Sequence, residues 1–293
     1  MRRSHVIACD LRHLLQVALV VAVLIGGGFV DAARASASID TSGVLPFGGL
    51  DRTYVLHVPA GAEPPRGLVI NLHGGGENGG RQAQITNYNA VADQHGFAVV
   101  YPDGIDGSWA DGRGASVPDR QGVDDVGFLV ALANRLTADF GIDPARVYAT
   151  GLSAGAFMAT RLACQRADVV SAIAPVAGSL GSAYPCSPSE PVSVFATHGV
   201  ADSVVPYNGG GMVGRGGPSD IVAPAALAAR WREIDDCPAA PVEDSPSPGV
   251  RRSTAAGCAD GTEVVFVSVD GGGHEWFGGA SQASGQFFAD QLR

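Results

Sequence analysis

Ser153 lies in Gly151-Leu152-Ser153-Ala154-Gly155, between the apolar run "RVYATG" and a stretch with helical spacing. A serine hydroxyl is a weak nucleophile until a base takes its proton and an acid holds that base in the right tautomer. Small residues two positions before and after Ser153 let neighbouring backbone approach a tight strand-to-helix turn. The helix N-terminus beyond Ser153 then favours developing negative charge. With 41 glycines in the chain the bare pattern is weak, and its strand-to-helix context is what gives it meaning.

A serine raised on such a turn is followed in chain order by its acid and then by its histidine, the order of the α/β hydrolases. His57, His73 and His95 precede Ser153, and His5 and His13 lie in a leader segment, which leaves His198 and His274. His274 follows the last apolar run in "VSVDGGGHEWFGG", where a glycine-rich loop can carry an imidazole over the carboxyl edge of a sheet. It is the expected base, and His198 is expected to be a structural histidine near the site. The acid is expected at Asp202, in "FATHGVADSVVPY", one strand over; Asp270 is the rival because it also ends a strand close to His274.

"LVINLHGGGENGG" contains Gly74-x-Gly76-x-x-Gly79 after an apolar run, a spacing shared by dinucleotide and oxyanion sites. An exported protein rarely meets nicotinamide cofactors, and Asp103 lies late for the acidic residue that a ribose would need. Beside Ser153 the loop reads as an oxyanion loop. One backbone N–H comes from Ala154 and the other from "HGGG", with Gly75 preferred and Gly74 or Gly76 open.

The elements that must position these groups are visible as alternating strand and helix patterns. "TYVLHVP", "GLVINLH", "FAVVYPDG", "RVYATG", "SAIAPVAG", "PVSVFATHG" and "EVVFVSVDG" read as strands, the middle ones apolar on both faces as buried parallel strands should be. Val126, Leu129, Leu132, Leu136 and Phe140 predict a crossover helix between Asp124-Asp125 and Gly141, the acidic pair serving as cap and dipole complement. The expected fold is an α/β-hydrolase fold, a mostly parallel central sheet with helices on both faces. Residues 207–220, with a second GxGxxG at Gly209, Gly211 and Gly214, read as a flexible rim loop, and 235–261 as irregular, pinned by Cys237 and Cys258.

Hydrophobic residues at 46% against 16% charged exclude a disordered chain. Arg2, Arg3 and Arg12 ahead of the uncharged stretch Leu14 to Val30, then small residues, predict a signal peptide over 1–35, cleaved after Ala35 or Ala37, and a single catalytic domain over 38–293. Export moves the net charge from -10 to -12, because the leader holds Arg2, Arg3, Arg12 and Arg34 against Asp10 and Asp31. That surface repels nucleic acid and anionic membranes, so neither is an expected partner and no stable membrane association follows cleavage. The mature chain keeps Cys164, Cys186, Cys237 and Cys258 in an oxidising compartment. Three pairings are open, and proximity favours Cys164 with Cys186 and Cys237 with Cys258. "HEWFG" at His274 lacks the second histidine of a zinc helix and no CxxC occurs, so no metal is expected. All 19 basic residues are arginine, which excludes Ser-Lys dyads, Schiff bases and a P-loop lysine.

"LHGGGENG", "VVYPDG", "VDDVGFL", "VYATGLSAGAFMATRLAC", "APVAG", "HGVADSVVPY" and "GGGHEWFGG", in this order from about Arg52 to the C-terminus, resemble the exported polyhydroxybutyrate depolymerase and feruloyl esterase group of α/β hydrolases. The resemblance implies a secreted serine esterase with Ser153, Asp202 and His274 as its triad and no cofactor or metal. It departs at Phe277, where the group often has proline, and it lacks a separate polymer-binding domain, which favours soluble or oligomeric esters. Trp109, Tyr207 and Trp276 are candidates to line a substrate. The expected activity is carboxylic ester hydrolysis by a monomer acting on hydroxybutyrate oligomers or feruloyl or acetyl esters. The alternatives are acyl transfer on the same scaffold, a peptidase of the same fold, and a secreted binding protein.

Overall fold

The computed structural model describes residues 37–61 and 64–291, so the leader expected over 1–35 lies outside the described residues. In chain order the elements are β1 (Ile39–Phe47), β2 (Leu50–Val58), β3 (Gly67–Leu72), α1 (Gly79–Thr86), α2 (Tyr88–His95), β4 (Phe97–Pro102), α3 (Val117–Gln121), α4 (Asp125–Phe140), β5 (Val147–Leu152), α5 (Ala154–Gln165), β6 (Ala172–Val176), β7 (Ser193–Gly199), β8 (Gly210–Gly214), β9 (Gly217–Ile221), α6 (Pro224–Ile234), β10 (Val242–Ser247), β11 (Val250–Ala255), β12 (Val264–Val269) and α7 (Ala280–Asp290).

One ten-stranded sheet runs β1-β2-β4-β3-β5-β6-β7-β12-β11-β10. Its central run β4-β3-β5-β6-β7-β12 is parallel throughout. The two outer strands at each edge pair antiparallel. The strand period of two sorts the apolar residues of each central strand into two cores. Leu68, Ile70 and Leu72 of β3, Ala98 and Val100 of β4, and Val264 and Phe266 of β12 pack with Phe128 and Leu132 of α4, Met158 and Leu162 of α5 and Trp231 of α6. Val69, Val99, Val265 and Val267 face the other way, onto Tyr88 and Val91 of α2 and Phe287 and Phe288 of α7. This is the α/β-hydrolase arrangement, helices covering both faces of a mostly parallel sheet.

Local signals place α4 as its sequence suggests. Asp124 caps it by accepting from the Gly127 N–H at 2.8 Å, and Gly141, at φ 65°, closes it by donating to Thr137 O. Asp125 has a structural partner instead: Arg52 of β2 donates to it at 2.7 Å, both side chains are buried, and the guanidinium lies 3.9 Å over the Phe128 ring.

Two segments depart from expectation. Residues 207–220 do not form a structureless loop; they contain all but the last residue of the hairpin β8–β9, whose Met212 and Ile221 pack on Val205 and Phe157. Residues 235–261 contain β10 and β11, which extend the sheet beyond β12. β10 is exposed along its whole length, so no buried face writes alternation into its sequence. β1 was absent from the expected strands for a related reason, being mostly exposed at the opposite edge. The disulfides are Cys164–Cys186, from the last turn of α5 to the chain before β7, and Cys237–Cys258, across the base of the β10–β11 hairpin. Among the described residues no helix is long and apolar enough to cross a membrane.

Candidate active site

Ser153 connects β5 to α5 at φ 55° and ψ -117°, a conformation an L-residue holds only when its surroundings over-determine it. The restraints are backbone contacts. The Ser153 N–H donates to Val176 O of β6 at 3.0 Å and its carbonyl accepts from Phe157 N, also at 3.0 Å. A Cβ at Gly151 would sit 2.6 Å from Leu72 O, and one at Gly155 would collide with the same carbonyl. Gly178 would run its Cβ into Ala156. The glycines around Ser153 are therefore required by contact with β3, α5 and the loop after β6, which wedge the turn from three sides.

β7 and β12 deliver the other two groups. The chain leaves β7 at Gly199, where a side chain would collide with the carbonyls of Gly272 and Gly273, so this glycine lets the loop after β12 cross over it. Ala201 N–H to Gly272 O and Val200 N–H to Val269 O, each 2.9 Å, fasten the two loops together. In that frame His274 Nδ1 donates to Asp202 Oδ2 at 2.9 Å, and Asp202 Oδ1 accepts from the Val204 and Val205 amides at 2.8 Å each. Burial pushes the Asp202 carboxyl up, but the hydrogen bonds from His274 and those amides outweigh it and hold the group below the usual carboxylate range. With Nδ1–H engaged by Asp202, His274 keeps a lone pair on Nε2, the tautomer a proton acceptor needs.

The competing candidates have other partners. Asp270 accepts from Arg251 Nη2 at 2.8 Å on the exposed surface. His198 is buried, donates from Nε2 to Val205 O at 2.9 Å, and lies 3.5 Å from Asp202 Oδ2. Burial holds it below the ordinary imidazole range and therefore neutral, so it buttresses the turn that carries Asp202.

His73 organises the glycine loop. Its Nδ1 donates to Gly74 O at 2.8 Å, its Nε2 accepts from Gly104 N–H at 2.9 Å, and its own carbonyl accepts from Trp109 Nε1 at 2.9 Å. The Gly76 amide is committed to Gly107 O at 2.7 Å, which removes it as an oxyanion donor. Asp103 anchors the next turn by accepting from Gly79 N–H at 2.7 Å. A Cβ at Gly75 would stand 3.9 Å from that of Ala154, so these two residues adjoin across the mouth of the turn. Ala154 is the first residue of α5, and its amide has no intrahelical partner. Gly75, Ser153, Ala154 and His274 line one cleft of about 240 Å³.

The three aromatic candidates are not brought to this cleft. Trp109 is fully buried, its ring tilted against that of His73 with centroids 4.8 Å apart and its Nε1 bonded to the His73 carbonyl, so it supports the glycine loop from behind. Tyr207 lines a separate groove of about 270 Å³ with Phe266 and Arg232. Trp276 is half-buried and donates to Ser281 Oγ at 3.0 Å. The walls of the cleft are instead Ser108, Arg113, Ser116, Val204, Met212 and Arg215, contributed by the loop after β4, the turn after Asp202 and the β8–β9 hairpin. Only the glycine richness of 207–220 hinted at a rim there. Arg113 carries no periodicity and finds its place through contacts with Asp111, Met212 and Phe157.

The chain matches the family described as Esterase PHB depolymerase over residues 52–209. It is 33% identical over 254 residues to a protein named as an esterase, NocK, of Nocardia uniformis subsp. tsuyamanensis, covering 79% of this chain and 72% of that one. Feruloyl esterase C of Emericella nidulans is 30% identical over 249 residues, 79% of each chain. Poly(3-hydroxyalkanoate) depolymerase C of Paucimonas lemoignei is 30% identical over 238 residues, 77% of this chain and 53% of that one. Among solved structures, acetyl xylan esterase from Aspergillus awamori superposes with a TM-score of 0.63 over 85% of this chain and 99% of its own at 15% identity, a likeness of fold. The matched residues include the glycine loop, the Ser153 turn and Asp202, and on that evidence the chain belongs to the Esterase PHB depolymerase family and is an esterase.

Proposed function

We propose that the protein is a secreted serine esterase that cleaves carboxylic esters through an acyl-enzyme. The observation that carries this reading is the 2.9 Å bond from His274 Nδ1 to buried Asp202, with Ser153 and His274 on the wall of one cleft. Ser153 Oγ attacks the ester carbonyl while His274 Nε2 takes its proton; the imidazolium is stabilised by Asp202 and returns the proton to the departing alkoxide. Water then repeats the cycle on the acyl-Ser153 ester, with His274 again the base, and releases the acid. The amides of Ala154 and Gly75 receive the charge on the former carbonyl oxygen, each contributing about 3 kcal/mol or more. The two disulfides and the leader sequence support export, and residues 38–293 are proposed as one catalytic domain. Relatives named for feruloyl esters and poly(3-hydroxyalkanoate) support those ester classes as substrates.

The test uses protein beginning at Ser36 beside Ser153→Ala. Hydrolysis of methyl ferulate and of a soluble hydroxybutyrate oligomer is followed, together with labelling by a fluorophosphonate. The expected result is turnover of at least one ester and labelling, both lost in Ser153→Ala. Turnover that survives the substitution removes Ser153 as nucleophile. An ester product formed in the presence of added alcohol would turn the reading toward acyl transfer.

A further inference from the structure

The cleft beside Ser153 contains two guanidinium groups in different electrostatic states. Arg113 is neutralised: its Nε and Nη2 reach both oxygens of buried Asp111, at 3.0 and 2.6 Å, its Nη1 reaches Met212 Sδ at 3.5 Å, and its face lies 3.8 Å over Phe157. Arg215 has no carboxylate within ion-pair distance among the described residues and no hydrogen bond to them, although it belongs to a chain of net charge -10. A guanidinium with no carboxylate beside it keeps its charge for an anion that enters the cleft, whatever the net charge of the surface around it.

Its placement is built. Arg215 and Gly216 form the two-residue turn between β8 and β9. The turn is held against the loop after β4: Arg120 Nη1 donates to Ala115 O at 2.8 Å and to Gly216 O at 2.9 Å, and a Cβ at Gly216 would collide with Ala115 O. Below it, Met212 and Ile221 are buried on Phe157 and Val205. The guanidinium extends over Gly76 of the glycine loop, where a Cβ would overlap Arg215 Nη1 and stand 3.5 Å from Cζ. Gly76, at φ 87°, thus leaves the space that the cation occupies, one residue from the amide assigned to the oxyanion. The hairpin's only acid, Asp220, lies five positions away on β9, opposite Gly211.

We infer that Arg215 recognises a carboxylate carried by the ester itself, on a short arm from the scissile carbonyl, so that the preferred substrates are ester acids such as the chain ends of short hydroxy-acid oligomers. This rests on the serine esterase reading and narrows its substrate class. A free carboxylate docks on the fork of Arg215 at the cleft mouth while the ester reaches Ser153, and a planar guanidinium suits a carboxylate better than an ammonium would. Methylating that carboxylate removes the charge and one acceptor geometry but leaves the scissile bond intact.

The experiment compares kcat/KM for each acid with that for its uncharged counterpart, in the wild type, Arg215→Gln and Arg215→Lys. The linear dimer of 3-hydroxybutyrate against its methyl ester places the charge on the alcohol side. Mono-para-nitrophenyl glutarate against para-nitrophenyl butyrate places it on the acyl side. The ratio is the readout, because a partly misfolded preparation lowers both rates alike. In one of the two pairs the acid is expected to be favoured, the ratio to fall about tenfold in Arg215→Gln, to recover in part in Arg215→Lys, and to shrink in about 0.5 M NaCl. The arm that responds identifies the side on which the carboxylate sits. A wild type that hydrolyses the uncharged esters without favouring either acid, or a ratio that Arg215→Gln leaves unchanged, overturns the assignment. Failure to hydrolyse any ester, with no fluorophosphonate labelling, overturns the underlying esterase mechanism instead.

Discussion

Two glycine-rich regions face the same cleft: the Ser153 turn with Gly178 beneath it, and the hairpin from Gly209 to Gly217. At the turn, Gly151, Gly155 and Gly178 each have neighbouring atoms where a side chain would go, most of them backbone. In the hairpin only the ends are tight, Gly209 against Ala223 and Gly216 against Ala115, while Gly210 faces open space and a Cβ at Gly211 would meet nothing nearer than 3.9 Å. Polar groups divide the same way. Asp202 and His73 have partners on several sides, whereas Arg215 extends into the cleft without a hydrogen-bond or ion-pair partner among the described residues. The placement of Ser153 is thus over-determined by backbone contact, and the rim is an anchored frame whose exposed positions can vary.

The largest effect that would sharpen this contrast is at Asp202. Asp202→Asn keeps an oxygen for the Val204 and Val205 amides and should leave the melting temperature nearly unchanged, while kcat falls about 10⁴-fold because His274 loses its tautomer. A loss below about tenfold would point to another acid, and Asp270→Asn would then be the variant to measure.

Next comes the glycine pair itself. Gly155→Ala drives a methyl group into Leu72 O and should cost about 1–3 kcal/mol and lower kcat by about 100-fold as Ser153 shifts. Gly211→Ala should leave both close to wild type. Equal behaviour of the two variants in melting and turnover would break the comparison.

The disulfides give a graded version of the same test. Each closes a loop, of sequence separation 22 and 21, and by chain entropy contributes about 3 kcal/mol. Cys164→Ser with Cys186→Ser frees the end of the helix that begins at Ala154, so melting temperature and kcat should fall together. Cys237→Ser with Cys258→Ser frees only the β10–β11 edge, and turnover should persist below the lowered melting point.

The smallest effect is that of pH on stability. Burial lowers the pKa of His73 and His198 below 6.5, so the unfolded chain binds protons there that the folded chain does not. The contribution of these two histidines should be flat above about pH 6.5 and be lost as pH drops below it; Asp202, also lowered, adds a second loss only below the ordinary carboxylate pKa, while Asp111 and Asp125, raised by burial, act with the opposite sign. Thermal melts of the wild type and His198→Gln between pH 7.5 and 5 should diverge, the variant being the flatter. Parallel curves would remove His198 from the account.

Ser153, its flanking glycines and the strand-helix boundary around them were legible in the chain because they are local. A tight turn writes its demand for small residues within two positions of the serine, and α4 wrote both its ends as Asp124 and Gly141. The central strands were equally legible, since burial on both faces requires unbroken apolar runs such as "GLVINL". By contrast, β1 and β10 left no such mark, because an exposed edge strand needs no particular side chains. Trp109 shows the same limit from the other side: its type suggested a substrate wall, and its burial behind His73 is a matter of where the loop after β4 folds.

Chain order and strand ends nominated Asp202 and His274, residues 72 positions apart, but the bond between them depends on Gly199 letting one loop cross another. Arg215 over Gly76 and Arg52 on Asp125 are contacts of the same kind, between segments that no local pattern links. Amino-acid order nominated Ser153, the partners for its proton and the sheet that carries them, because those follow from short-range sterics and hydrophobic periodicity. The lining and charge of the cleft arose from long-range packing, where each side chain's neighbours are set by the fold as a whole.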